Sequence, residues 1–248
     1  VKYSVLIFVL TMLVIQQYTQ SLAFAEEIYT SNVEIGQSQQ GRGLYVEQFG
    51  LGAERIVVVA SIHGTETIGT PLCNQFIDAL YKNPTWLDGR TLYIIRMANP
   101  DGVVEDIRGN RHNIDINRNF PTGNFGRGWF NGDEPLSAPE TVVLMDFFSQ
   151  VVPERVLTIH QPLNGIDYDG PADELALSLS EVSGVRIHRL GSRSGSLGSF
   201  VGKELNIPIV TLEIPASAQQ RSSEWLWGKY GVILQGFLEY DASKRQSD

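Results

Sequence analysis

The sequence predicts an α/β fold: one domain built on a mixed, mostly parallel, twisted sheet with helices on both faces. Three observations predict it. An uninterrupted apolar run at 56–60 and largely apolar, β-branched segments at 155–159 and 209–212 have the length and character of buried strands. Helical patterns at 67–81, 142–151, 173–183 and 222–240 alternate with those strands, as in parallel sheets. The chain has 248 residues, 42% of them apolar and 19% charged, which suits one large core with neither repeats nor a dividing linker.

Each element has a local cause. Residues 26–52 are polar and glycine-rich, and the alternation from Tyr45 to Phe49 predicts an edge strand carrying the first hairpin. After the strand at 56–60, the helix at 67–81 rests on Ile68, Leu72, Phe76, Ile77 and Leu80 and stops near Asn83-Pro84, where proline discourages continuation. A strand at 91–96 is broken by the turn chemistry of Asn99-Pro100-Asp101-Gly102. Residues 101–136 lack periodicity, and a loop of that length in a compact domain is usually functional. Ser137-Ala138-Pro139-Glu140 starts the next helix, with proline in its first turn. The strand at 155–159 runs into His160, a further strand is expected at 186–190, and a Gly/Ser loop at 191–199 precedes a short helix at 201–205. The strand at 209–212 delivers Glu213. The last helix presents Trp225, Tyr230, Ile233, Leu234 and Phe237 inward.

The first 25 residues form a separate object. Lys2, an apolar run at 5–15, a polar stretch at 16–20 and Ala23-Phe24-Ala25 together predict a secretory signal peptide, leaving a catalytic domain at 26–248. A retained anchor is the runner-up, although the run is short for a bilayer. The expected location is therefore exported, periplasmic or secreted, without stable membrane association after cleavage. Cys73 is the only cysteine, so no internal disulfide forms, and its place on the apolar side of a helix makes it a packing residue. The formal charge of −9, with no evident basic patch, argues against nucleic acid or an anionic membrane as the main partner.

Three strands end in residues suited to chemistry: His63 with Glu66, then His160, then Glu213. Two imidazoles and a carboxylate are an established ligand set for a zinc ion that keeps one position open. A His-x-x-Glu pattern alone is weak, since a capping Glu beside an ordinary His gives it too. Of the other two histidines, His112 lies in the long loop and His188 in an alternating segment, and structural roles are expected for both. Glu213 sits among Leu212, Ile214 and Pro215, where desolvation would raise its pKa toward the range of a general base; the alternative is a salt-bridged strand end. The segment 108–121 packs Arg108, Arg111 and Arg118 among amides, a composition able to grip carboxylates and steady oxyanions. A solvated basic loop is the plainer alternative.

These pieces, in this order, resemble the zinc carboxypeptidase family: His63-Gly64-Thr65-Glu66, Asn99-Pro100-Asp101-Gly102, Arg111, the run from Asp115 to Phe120, His160 and Thr211-Leu212-Glu213. The resemblance spans nearly all of the chain after the signal peptide. Residues 158–163, Gly195-Ser196-Leu197-Gly198-Ser199 and Asn206-Ile207-Pro208 are most similar to its bacterial murein tripeptide amidase branch, which removes diaminopimelate from γ-D-glutamyl-diaminopimelate. The resemblance implies one Zn2+ held by His63, Glu66 and His160, with Glu213 as general base and Arg111 at the oxyanion. It implies that Asn117 and Arg118 hold the free C-terminal carboxylate of a small peptide substrate. Digestive members carry a tyrosine before the glycine-rich turn that closes over substrate, whereas Gly191-Ser192-Arg193-Ser194 offers none. A diaminopimelate side chain ends in an amino-acid head, for which Arg193, Asp167 and Asp169 are candidates, although Asp167-Tyr168-Asp169-Gly170 is equally compatible with a turn. A zinc deacylase of small N-acyl amino acids and a catalytically inactive peptide-binding relative are the alternatives.

Overall fold

The computed structural model describes residues 29–241, together with Met12. The expected signal peptide, Met12 aside, lies outside the described residues. Seven strands form one sheet: β1 Tyr29–Gln37, β2 Gly43–Phe49, β3 Glu54–Ala60, β4 Arg90–Ile95, β5 Arg155–His160, β6 Gly165–Asp169 and β7 Ile209–Glu213. Their spatial order is β1-β2-β4-β3-β5-β7-β6. The four central strands run parallel, and the pairs β1–β2, β2–β4 and β6–β7 are antiparallel.

Alternation along β3 explains the layers. Ile56, Val58 and Ala60 face one core, where Leu72, Phe76, Ile233 and Phe237 pack; Val57 and Val59 face the other, with Phe120, Phe147, Phe148 and Val156. Helices α1 Gly69–Lys82, α4 Asp173–Ser183 and α6 Ser223–Glu239 cover the first face, and α3 Pro139–Val151 the second. Between them lie the short α2 Pro100–Glu105 and α5 Leu197–Ser199, the latter continuing as a π turn, Phe200–Glu204. A strand covered on both sides has little polar alternation, which is why the inner stretches of β3, β5 and β7 are mostly apolar and β-branched in the sequence.

Four expectations need correction. The strand from Tyr45 to Phe49 is interior, because residues 29–37 add β1 outside it. Residues 186–190 do not form a strand; Ile187 makes only an isolated parallel bridge to Ile166. Asp167 and Asp169 belong to strand β6, not to a turn. Trp225 is exposed, and Leu226 takes the inward position one residue later.

Candidate active site

The ends of β3, β5 and β7 build the site. These strands are parallel neighbours, so their carboxyl ends open on one edge of the sheet, where ligands of such sheets bind. His160 and Glu213 are the last residues of β5 and β7 and are register partners. Past Ala60 the chain turns at Ser61, a buried residue with φ of +50°, a left-handed conformation uncommon for a side chain other than glycine. That turn carries His63 back over the strand ends. Gly64 then presses on the loop behind: its amide donates to the Arg108 carbonyl at 3.1 Å, and a Cβ there would lie 2.0 Å from the Gly102 carbonyl carbon.

His63 Nδ1 lies 2.9 Å from Glu66 Oε1, and His160 Nδ1 lies 2.9 Å from Glu66 Oε2. The two Nδ1 atoms are 3.2 Å apart. All three residues are buried, and their donor atoms fall within 4.8 Å of one another, so they form a group able to hold a metal ion. Their spacing fits zinc, because two nitrogens on a tetrahedral ion at the usual bond length stand about 3.3 Å apart. The donor set points the same way. His63 Nε2 lies 3.1 Å from the Asp115 carboxylate and 2.9 Å from the Arg108 guanidinium; in the tautomer that donates Nε2–H to Asp115, the Nδ1 lone pair is presented to Glu66 and His160.

Electrostatics agree. Burial alone would push the His63 pKa down, but hydrogen bonding to Asp115 and Glu66 outweighs it and the pKa is raised. Burial would raise Glu66, yet the His160 and His63 rings hold it well below the usual carboxylate range. Asp115 is likewise lowered against its burial, by His63 and then Arg108. The field that favours a proton on His63 also favours a divalent cation in its place. Glu213 differs: burial pushes its pKa up, with His160 opposing.

A cleft of about 240 Å³ brings together His63, Glu66, His160 and Glu213. Its floor includes Thr158 and Thr211, register partners whose hydroxyls lie 2.9 Å apart. Asn117, Arg118, Arg193, Asp167 and Asp169 also line it. Arg118 is half-buried, and burial lowers its pKa. Asn117 Oδ1 accepts the Leu197 amide at 2.8 Å, which ties it to the opposite wall. Asp167 and Asp169 sit two apart on β6 and so share a face; burial raises the Asp167 pKa, and Asp169 accepts the Ser192 hydroxyl.

Arg111 is the exception. It projects to solvent, 55% exposed, paired with Glu105 and outside the cleft. The tight turn from Asn110 to Asn113, closed by the Asn113 amide on the Asn110 carbonyl, carries Arg111 outward. Of Arg108 and Arg111, it is Arg108 that lines the cleft, where it reaches Glu66 at 2.7 Å and Asp115 at 3.1 Å. Arg108 and Asp115 were both visible in the segment 108–121. What the sequence does not show is which arginine the turn sends inward. His112 and His188 are exposed and stand outside the cleft.

Comparison with known proteins decides the family. A family model for zinc carboxypeptidases, Peptidase_M14, matches residues 15–166. The chain belongs to the zinc carboxypeptidase family. It is 30% identical over 202 residues to murein peptide amidase A of Escherichia coli K12, covering 74% of this chain and 79% of that one. Mouse carboxypeptidase M is 29% identical over 155 residues, 53% of this chain and 34% of its own. The crystal structure of murein-tripeptide amidase from Escherichia coli O157 superposes with a TM-score of 0.69 and 25% identity, over 86% of this chain and 93% of that chain. Carboxypeptidase A from Helicoverpa armigera gives a TM-score of 0.70 at 17% identity, over 93% and 73%, and so shares the fold. The protein is thus a metallo-hydrolase of the zinc carboxypeptidase family, related to murein tripeptide amidase. The family implies zinc, and His63, Glu66 and His160 are the group that fits it.

Proposed function

We propose that the protein is an exported zinc exopeptidase that hydrolyses the terminal amide of a murein peptide, the bond between γ-D-glutamate and diaminopimelate. The observation that carries this reading is one cleft holding His63, Glu66 and His160 as metal donors beside Glu213. Zinc bound there would supply Lewis-acid polarisation of the scissile carbonyl and a lowered pKa for water. Glu213 accepts the proton of the attacking water and returns it to the leaving amine nitrogen as the C–N bond breaks. Arg108, not Arg111, offers N–H groups to the oxygen that gains charge during attack. Asn117 and Arg118 receive the terminal carboxylate, which restricts cleavage to a chain end.

The side chain released is read by the far wall. Asp167 and Asp169 supply anions and Arg193 a cation, the complement of the ammonium and carboxylate at the distal end of diaminopimelate. An N-terminal signal peptide, cleaved after Ala25, would deliver the enzyme to the periplasm or medium, where cell-wall peptides occur. Among the described residues no helix is long and apolar enough to cross a membrane.

The test is incubation of the zinc-loaded protein with L-Ala-γ-D-Glu-diaminopimelate, ordinary C-terminal dipeptides and N-acyl amino acids, with and without chelator. Free diaminopimelate should appear, and Glu213→Gln should lower its rate about 100- to 10,000-fold. Turnover of N-acyl amino acids alone would replace this reading with a deacylase, and binding without turnover with an inactive relative.

A further inference from the structure

A second cavity, of about 520 Å³, adjoins the catalytic cleft and shares Leu163 and Leu190 with it. Three of its lining residues are Arg186, His188 and Lys229, and no Asp or Glu lines it. On a chain of formal charge −9 this is a local reversal of sign. The sequence conceals it, because the cations come from two distant segments. Val185 is buried and Ile187 packs against the core, and this period of two turns Arg186 and His188 outward together. Lys229 comes from the exposed side of α6, whose Leu226, Tyr230 and Ile233 face inward. Gly165 makes room for the imidazole: a Cβ there would come within 3.1 Å of the His188 ring. None of the three basic side chains has an ion-pair partner among the described residues.

The position of this cavity decides what it meets. Asn117 and Arg118, the proposed anchor for the terminal carboxylate, do not line it. It meets the cleft at Leu163, whose amide faces the Glu213 carboxylate at 3.4 Å, and at Leu190. A substrate fixed at Arg118 and attacked beside Glu213 therefore sends its remaining, acyl portion over Leu163 toward Arg186 and Lys229.

We infer that Arg186, His188 and Lys229 form an anion subsite for a carboxylate on the acyl side of the scissile amide. This rests on the peptidase reading above and deepens it. The subsite selects peptides whose penultimate residue keeps a free acid, and it disfavours those in which that acid is amidated. Arg186 and Lys229 supply the charge, and His188 a ring N–H. Because all three are exposed, the attraction is screened by salt.

The experiment compares L-Ala-γ-D-Glu-diaminopimelate with the same peptide carrying an amide at the glutamate α-carboxyl. Wild type should favour the acid in kcat/KM by about tenfold, the combined contribution of two exposed ion pairs. The ratio should approach one in Arg186→Ala/Lys229→Ala, survive largely in Arg186→Lys, and shrink as salt rises from about 0.05 to 0.5 M. A wild-type ratio near one, or a tenfold ratio kept by the double variant, overturns the assignment. Equilibrium binding of the same two peptides to Glu213→Gln, with and without the double substitution, separates the claims. A preference for the acid that is lost with the two cations upholds the subsite even if neither peptide is hydrolysed, whereas equal binding refutes it.

Discussion

Asp115→Asn tests whether the metal donors are oriented from behind. The Asp115 carboxylate is 4% exposed and receives three groups: His63 Nε2 at 3.1 Å, Arg108 Nε at 3.1 Å and the Asn117 amide at 2.9 Å. Asparagine keeps the shape. If its oxygen stays with His63 and Asn117, its NH2 meets the Arg108 N–H donor to donor, and the charge that strengthens His63 as a ligand is gone. Loss of such a partner behind a metal ligand typically weakens metal binding about 10- to 100-fold, roughly 1.4–2.7 kcal/mol. Zinc titration against a competing chromogenic chelator measures this directly. Kcat should fall as well, because Arg108 loses its fixed orientation. A zinc dissociation constant within about twofold of wild type would make Asp115 a passive loop residue and contradict its role behind His63.

Three further outcomes follow from the same geometry. Arg108→Ala should lower kcat on any hydrolysed peptide about 100- to 1,000-fold, the usual cost of removing an oxyanion donor, while Arg111→Ala stays within about twofold; equal effects in steady-state assays would contradict the assignment. Gly64→Ala forces a Cβ to within 2.3 Å of the backbone of Gly102 and Ile107, so denaturant unfolding should show a loss of about 1–3 kcal/mol and zinc content should drop. Burial pushes the Cys73 thiol up to about 12 from an ordinary 9.0, so at pH 8 only about one molecule in ten thousand carries the thiolate, and native protein should resist alkylation until it unfolds. Its sign for stability is definite: a raised folded pKa contributes fully below pH 9 and is lost as the pH climbs toward 12.

Residues fixed by short-range physics were legible, and residues fixed by a turn's direction were not. The short, β-branched and mostly apolar stretches of β3, β5 and β7 placed His63, His160 and Glu213 at or just past strand ends, because their length and composition favour buried strands over helices. The neighbouring order of those strands brings the three together. Arg108 and Arg111 look alike in sequence, and only the turn at Asn110–Asn113 separates the one that enters the cleft from the one that leaves it. Strand β6 was hidden for another reason. As an antiparallel edge strand it has polar residues facing the cleft, so Asp167-Tyr168-Asp169 carries turn composition in an extended conformation. The basic subsite depends on Lys229 meeting Arg186 across 43 residues of chain, a pairing no local pattern encodes.

Zinc bound per chain, measured by atomic emission after dialysis, tests the metal site itself. One zinc in the wild type and in Glu213→Gln, with loss in His160→Ala, is the predicted result: two imidazoles and Glu66 hold the ion, and Glu213 stands beside it without ligating. Undiminished zinc in His160→Ala, or none in the wild type after reconstitution, would contradict it.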